Sequence, residues 1–330
     1  RSPKTIAQLV NRVWDLYEEV EKRDRPSGTG YAEVEDDSTD PLIYCTAAPG
    51  EELTALLQDL TSREGLALVS LDETLPIFTE LLAVEIVERT DKQAVVKHPN
   101  TAWRLVIHEG GPNAKNKPHT NHYGFRVGSS KEIPKAHEYI SEHKAQYKIK
   151  SVTPPHEAHF AYSIYFKEPG GNDLEIEYYN PAAIKQGRRI AAPHWTTPIP
   201  EERFPGRGYV PQAMTHGTLN CDDKEVNDRF LVNVLGFEII GGGRTSTYIS
   251  VPKMGPWYVV VLPTAHRDYL SEANRFTLQV ATPQEVEDAH KEFSKNGKQL
   301  GISDLRELQT NGRAYFLLSD VSKNWWEVTS

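Results

Sequence analysis

At 330 residues, 38% hydrophobic and 25% charged, with 22 glycines and 22 prolines, the chain has the make-up of an ordinary globular protein and length enough for two domains. A net charge of -9 argues against a general nucleic-acid binder, which needs clustered Lys and Arg to neutralise phosphates. No apolar run approaches the ~18–20 residues of a membrane span, and Cys45 and Cys221 are too far apart for a disulfide framework or a zinc-type spacing. A cytoplasmic, reducing location and small-molecule partners are therefore expected.

The N-terminus, "RSPKTIAQLVNRVWDLYEEVEKRD", predicts an amphipathic helix rather than a signal sequence, with Ile6, Leu9, Val10, Val13, Leu16, Tyr17 and Val20 at helical spacing. Residues 27–41 are acidic and turn-forming and read as a connection to the body. A repeating grammar follows, cleanest from Met214 to Leu262. There "MTHGTLNCDD" reads as a strand, and "KEVNDRFLVNVLGF" as a helix with Val226, Phe230 and Leu231 on one side. "EIIGGG", "TSTYISV" and "WYVVVLP" then read as three strands. The same βαβββ order recurs from near Leu66, Asn121 and Asn274, giving units one to four with the clean copy as unit three. Between units two and three, residues 181–212 are Pro-rich and aperiodic, carry Arg188 and Arg189, and read as surface loop.

Four such units, paired into half-barrels, resemble the vicinal oxygen chelate superfamily, which includes glyoxalases, antibiotic-binding resistance proteins and extradiol ring-cleaving dioxygenases. The resemblance runs from about Leu66 to the C-terminus. It implies an α+β fold of two half-barrel domains with an N-terminal helical arm. The expected division is residues 1–65 for the helix and connection, 66–180 for units one and two, 181–212 for the linker, and 213–330 for units three and four. A fold alone does not name a reaction.

In that superfamily the metal ligands stand in the first strand of a unit and, as a carboxylate, in the last. Unit one offers Leu66 or a neighbour and no inward carboxylate that can be placed in "AWRLVIHE". Unit two offers His122 and, in "GNDLEIEYY", Glu175. Unit three offers His216 and an apolar last strand, and unit four offers Arg275 and Glu327. His122, Glu175 and His216 make the coherent set, two imidazoles and one carboxylate, which suits non-haem Fe(II) and, less commonly, Mn(II). In "PPHEAHFAYSIYFKEPGGNDLEIEYY", His156, Tyr165, the acid-Pro-Gly-Gly turn at 168–171 and Glu175 follow one another at the spacing of the extradiol signature, with Pro154 departing from the residue usual there. Fifty residues beyond His216 stands His266, where the resemblance implies a histidine supporting catalysis.

This set requires unit two to pair with unit three across the linker, an exchanged order for the family. The rival pairing of one with two would gather His122, Glu175 and His108. Other histidines have ordinary readings: His159 as surface or pocket wall, His119 as a loop residue, and His98, His137, His143, His194 and His290 in loops or on helices. Trp325 and Trp326 read as packing residues. Arg244 and Arg275 could meet a substrate carboxylate.

The resemblance implies an Fe(II)-dependent extradiol dioxygenase that cleaves a catechol or hydroquinone with O2. Its acid/base would be His266, whose unperturbed pKa near 6.5 suits proton exchange near neutrality. Tyr165 would bond a substrate oxygen, and His156 would support a bound hydroxyl. Two alternatives stay open: a glyoxalase-like metal-dependent isomerase or lyase, which would want a second glutamate where unit three has "VVVLP", and a metal-free protein binding aromatic ligands. A homo-oligomer is compatible with the sequence, with the N-terminal helix as an interface arm or packed on its own domain.

Overall fold

The computed structural model describes residues 42–48 (as backbone), 71–101, 103–109, 121–158, 160–185, 189–252, 257–264, 269–270, 272 and 274–330. The expected N-terminal helix, the connection at 27–41 and the strand expected at Leu66 lie outside them.

Two sheets account for the strands. The first runs β15 (Asp304–Leu305), β16 (Tyr315–Ser319), β17 (Trp325–Thr329), β14 (Arg275–Gln279), β1 (Leu42–Ala48), β4 (Arg104–Glu109), β3 (Gln93–Lys97), β2 (Glu85–Arg89). The second runs β11 (Glu238–Gly242), β12 (Thr247–Ser250), β13 (Tyr258–Pro263), β10 (Pro211–Cys221), β5 (His122–Val127), β9 (Asp173–Tyr179), β8 (Ala161–Lys167), β6 (Ser151–Val152), with β7 (His156–Ala158) also on β8. Units one and four thus share one sheet and units two and three the other, joined antiparallel through β1–β14 and β5–β10. This is the exchanged pairing that the ligand chemistry favoured, and it leaves His108, on β4, in the other sheet.

Unit one opens differently from its expected course. Its first strand is β1, Leu42–Ala48, parallel to β4 and ahead of residue 66. Helix α1, Leu71–Pro76, continues as a wider turn over Ile77–Leu81 and buries Leu71, Leu75, Ile77, Phe78 and Leu81. In unit two α2 spans Glu132–Glu142.

Helix α3, Lys224–Asn233, starts at Asp223, whose carboxylate accepts from the Val226 N–H. Its inward residues are Asn227, Phe230 and Leu231, whereas Val226 is exposed. The i, i+3, i+4 stripe therefore runs one residue later than the apolar pattern suggests. Helix α4, Pro283–Leu300, carries its limits in its sequence: Thr282 and Glu285 form a capping box, Pro283 occupies the first turn, and Gly301 ends it at φ +86°.

The sheets meet through an aromatic layer. A Cβ on Gly217 would stand 3.0 Å from Phe276 Cζ, and Phe276 in turn contacts Trp103 and Trp326. Trp326 is fully buried, in keeping with a packing role, while Trp325 is half-buried beneath Arg306.

The linker is more than a surface loop. Ala183, Ile190 and Ala191 pack against Tyr179, Tyr248 and Tyr258 at one end of the two-three half-barrel, and Phe204, Tyr209 and Val210 are also buried. Its anchors are single residues at irregular intervals, so no periodicity betrays them. No helix among the described residues is long and apolar enough to cross a membrane.

Candidate metal centre

Three adjacent strands deliver the site. In the sheet register Gly124 of β5 lies between Glu175 of β9 and His216 of β10, with His122 two residues earlier on the same strand face. His122 Nε2 is 3.0 Å and His216 Nε2 3.3 Å from Glu175 Oε2, and the two Nε2 atoms are 3.1 Å apart. All three residues are buried. Among the described residues they form the one group of His, Cys, Asp or Glu side chains close enough together to hold a metal ion. Converging imidazole nitrogens and one carboxylate oxygen, over a glycine that leaves the ring of His216 its space, fit a divalent transition metal.

The electrostatics suit such a donor set. Burial works against charge on Glu175, but its hydrogen bonds and attraction to His122 and His216 hold its carboxyl well below the usual range. Burial likewise opposes protonation of His216, and Glu177 with Glu175 overcomes it and holds the imidazole up at about 9. Tyr165 faces Glu175 across β8–β9, and its ring lies edge-on to His122 at 5.1 Å. Burial, reinforced by Glu175, raises the phenol, so it is a neutral O–H donor near neutral pH. His156 stacks on Tyr165 at 5.5 Å between centroids but is itself exposed. His266 lies outside the described residues, as do His119 and His159.

The acid of the Pro-Gly-Gly turn has a structural task. Glu168 is fully buried and accepts from the N–H groups of Gly170 (2.7 Å) and Asn172 (2.8 Å), from Asn172 Nδ2 (2.8 Å), and from Thr74 Oγ1 (3.2 Å) on α1. Unit four repeats the device. Asp320 accepts from the N–H groups of Ser322 and Asn324 and from Trp326 Nε1. Gly171 at φ +93° is matched there by Lys323 at φ +59°.

Register also shows what stands in the other half-barrel. Tyr123 pairs with Gly217 and Leu174, as Phe276 pairs with Ile43 and Trp326. The positions of His122, Glu175 and His216 are therefore held by Arg275, Glu327 and Leu42. Glu327 is fully buried and bonded at 2.7 Å by both Arg275 Nε and Arg313 Nη2, so a guanidinium pair neutralises it. His108 is pushed down to about 4, chiefly by burial and then by Arg275.

Sequence reasoning set two buried groups aside. Glu177 fits a solvated alternation with Asp173 and Glu175, yet it is 1% exposed and paired with Arg126. His194, from the linker, is buried edge-on to Trp257 and Tyr258, and burial, aided by Arg126, holds its imidazole well below the usual range. A charged residue on the face shared with proposed ligands is the signal that could have found Glu177. For His194 there is none.

Residues 65–176 match the family model of the Glyoxalase/Bleomycin resistance protein/Dioxygenase superfamily. No curated protein matches the chain in sequence. Among solved structures, a mutant glyoxalase I from Zea mays superposes with a TM-score of 0.56 at 12% identity, over 88% of this chain and 94% of that one. A candidate dioxygenase from Bacillus subtilis superposes with a TM-score of 0.52 at 11% identity, over 87% and 83%. At such identities the likeness is one of fold. The architecture and the match over residues 65–176 together show that this chain has the fold of the vicinal oxygen chelate proteins.

Proposed function

We propose that the protein is an extradiol dioxygenase that binds Fe(II), with Mn(II) the less fitting ion, through His122, His216 and Glu175, and cleaves a catechol- or hydroquinone-type ring with O2. The observation that supports this most is the two-imidazole, one-carboxylate set on adjacent strands, with no further carboxylate among the described residues close enough to join it. Val260 on β13 pairs with Thr218, two residues after His216, as Glu175 pairs with Gly124, two after His122, so an apolar residue stands where a glyoxalase-like reading wants a second glutamate.

Fe(II), when bound there, supplies the redox chemistry by which dioxygen reacts with an electron-rich ring. Tyr165 presents a neutral hydroxyl as hydrogen-bond donor to a substrate oxygen, and His156 backs its ring from the solvent side. His266 is proposed as the group that takes the proton from the diol and returns it. Both oxygen atoms of one O2 enter the product. The ring carbon–carbon bond beside a hydroxyl-bearing carbon breaks, giving a ring-opened carboxylic acid with an aldehyde or keto group and needing no other reductant.

The test is anaerobic loading of the chain with Fe(II), followed by oxygen uptake over a panel of catechols and hydroquinones. One O2 consumed per ring, with a yellow product and loss of both metal and turnover in His216→Ala, is expected. Tight aromatic binding by a chain that takes up no metal would sink the proposal. Isomerase or lyase activity without oxygen uptake would favour the glyoxalase-like alternative.

A further inference from the structure

Beside the three donors lies a buried charged pair that the proposed chemistry leaves unused. Arg126 donates to Glu177 Oε1 from Nε at 3.0 Å and from Nη2 at 2.7 Å, and from Nη1 to the linker carbonyls of Ile190 and Ala192 at 2.7 and 3.1 Å. Thr215 Oγ1 lies 2.7 Å from the same Glu177 oxygen and 3.0 Å from His216 Nδ1, with the Gly124 carbonyl farther off at 3.3 Å. All of these side chains are buried.

The polarity of this chain is fixed from its charged end. A guanidinium only donates and a carboxylate only accepts, so the single hydroxyl hydrogen of Thr215 goes to Glu177. What Thr215 then offers His216 Nδ1 is a lone pair, and Nδ1 must carry hydrogen. In the neutral ring the remaining lone pair is on Nε2, the atom that faces Glu175 and His122.

Resting on the metal reading above, we propose that Arg126, Glu177 and Thr215 are positioning residues that fix His216 as the Nδ1–H tautomer and so aim its Nε2 lone pair at the metal. Partners of this kind, bonded to the far nitrogen of a ligand histidine, are worth about 10–100-fold in metal affinity. Arg126 also ties the linker to the same chain, which makes the seating of residues 190–192 part of the support of the site.

The test is Co(II) affinity, measured on the metal-free full-length chain by competition with a chelator, together with the visible spectrum of the Co(II) complex. Thr215→Val removes the bridge at nearly constant shape and no change of charge, and Thr215→Ser restores the hydroxyl. The double variant Arg126→Gln/Glu177→Gln removes both charges together, so neither is left buried alone. Expected are a roughly 10–100-fold loss of affinity and an altered spectrum for Thr215→Val and for the double variant, with Thr215→Ser close to the unsubstituted protein. Folded Thr215→Val with unchanged affinity and spectrum overturns the proposal, and that variant decides even where the double variant does not fold. If the unsubstituted chain binds no Co(II), the metal reading itself fails, an outcome visible before any substitution is made.

Discussion

The imidazole of His216 fills the volume that a side chain on Gly124 would need. A Cβ at Gly124 would stand 2.1 Å from Cε1 and 2.4 Å from Nδ1 of the ring. Glycine weakens the middle of a strand, and here the bare position lets ligands from the strands on either side meet over β5. Gly124→Ala should push the ring off its position. Divalent-metal affinity is expected to fall at least about tenfold, with an overpacking cost of about 1–3 kcal/mol. Metal titration and urea unfolding measure the two effects. A folded Gly124→Ala chain with unchanged affinity would mean that the ring can tilt and still serve.

In the one-four half-barrel Arg275 and Arg313 hold Glu327 where the other half-barrel has its donor set, so one metal ion per chain is expected at the described sites. Glu327→Gln leaves Arg275, itself mostly buried, without its carboxylate and should cost roughly 3 kcal/mol of stability. Elemental analysis should still find one ion. A stoichiometry of two in the unsubstituted protein, falling to one in this variant, would instead make Glu327 a ligand.

Tyr165→Phe removes a hydroxyl that bonds the Glu175 carboxylate but is not itself one of the three donors. Metal affinity should stay within a few-fold, while turnover on the best diol should fall on the order of 100-fold, the usual effect of deleting a donor aimed at developing charge. Steady-state oxygen uptake at saturating substrate gives the number. Unchanged turnover would remove Tyr165 from the chemistry.

The cluster of His122, Glu175 and His216 was legible because each member stands where the resemblance puts a metal ligand: His122 and His216 in first strands, Glu175 in a last strand. Grammar could not say which face of a strand is buried. Nothing in the pattern sets Asp173 and Glu177 apart from solvated strand residues, yet both are buried, paired with Lys167 and Arg126. Nor could it place β1, since "LIYCTAA" is a short apolar run with no pattern of its own, and pairing with β4 and β14 is what identifies it. The turn acid Glu168 belongs to a signature by spacing, but its bonds to turn N–H groups, matched at Asp320, show that this position is set by the turn. The linker's hold on Arg126 runs through backbone carbonyls of Ile190 and Ala192, which no side-chain pattern encodes.

His98 predicts how the fold responds to acid. Its Nδ1 accepts from the Asn100 N–H at 3.1 Å and its Nε2–H donates to the Pro211 carbonyl at 3.0 Å, clamping unit one to the start of β10. Burial lowers its pKa to about 4, against the pull of the Pro211 bond and with help from Arg203. The unfolded chain, with its histidine near 6.5, binds the proton first. Between these values the unfolded state carries more protons, so stability is present above about 6.5 and lost as pH falls through about 4. The loss assigned to His98 is about 3 kcal/mol. His108, also held at about 4, acts in the same direction, so the informative quantity is the difference between the unsubstituted chain and His98→Gln. In urea unfolding at pH 7, 5.5 and 4.5 that difference should shrink steadily as the unfolded chain's histidine takes up its proton. A difference independent of pH would show that His98 contributes shape alone.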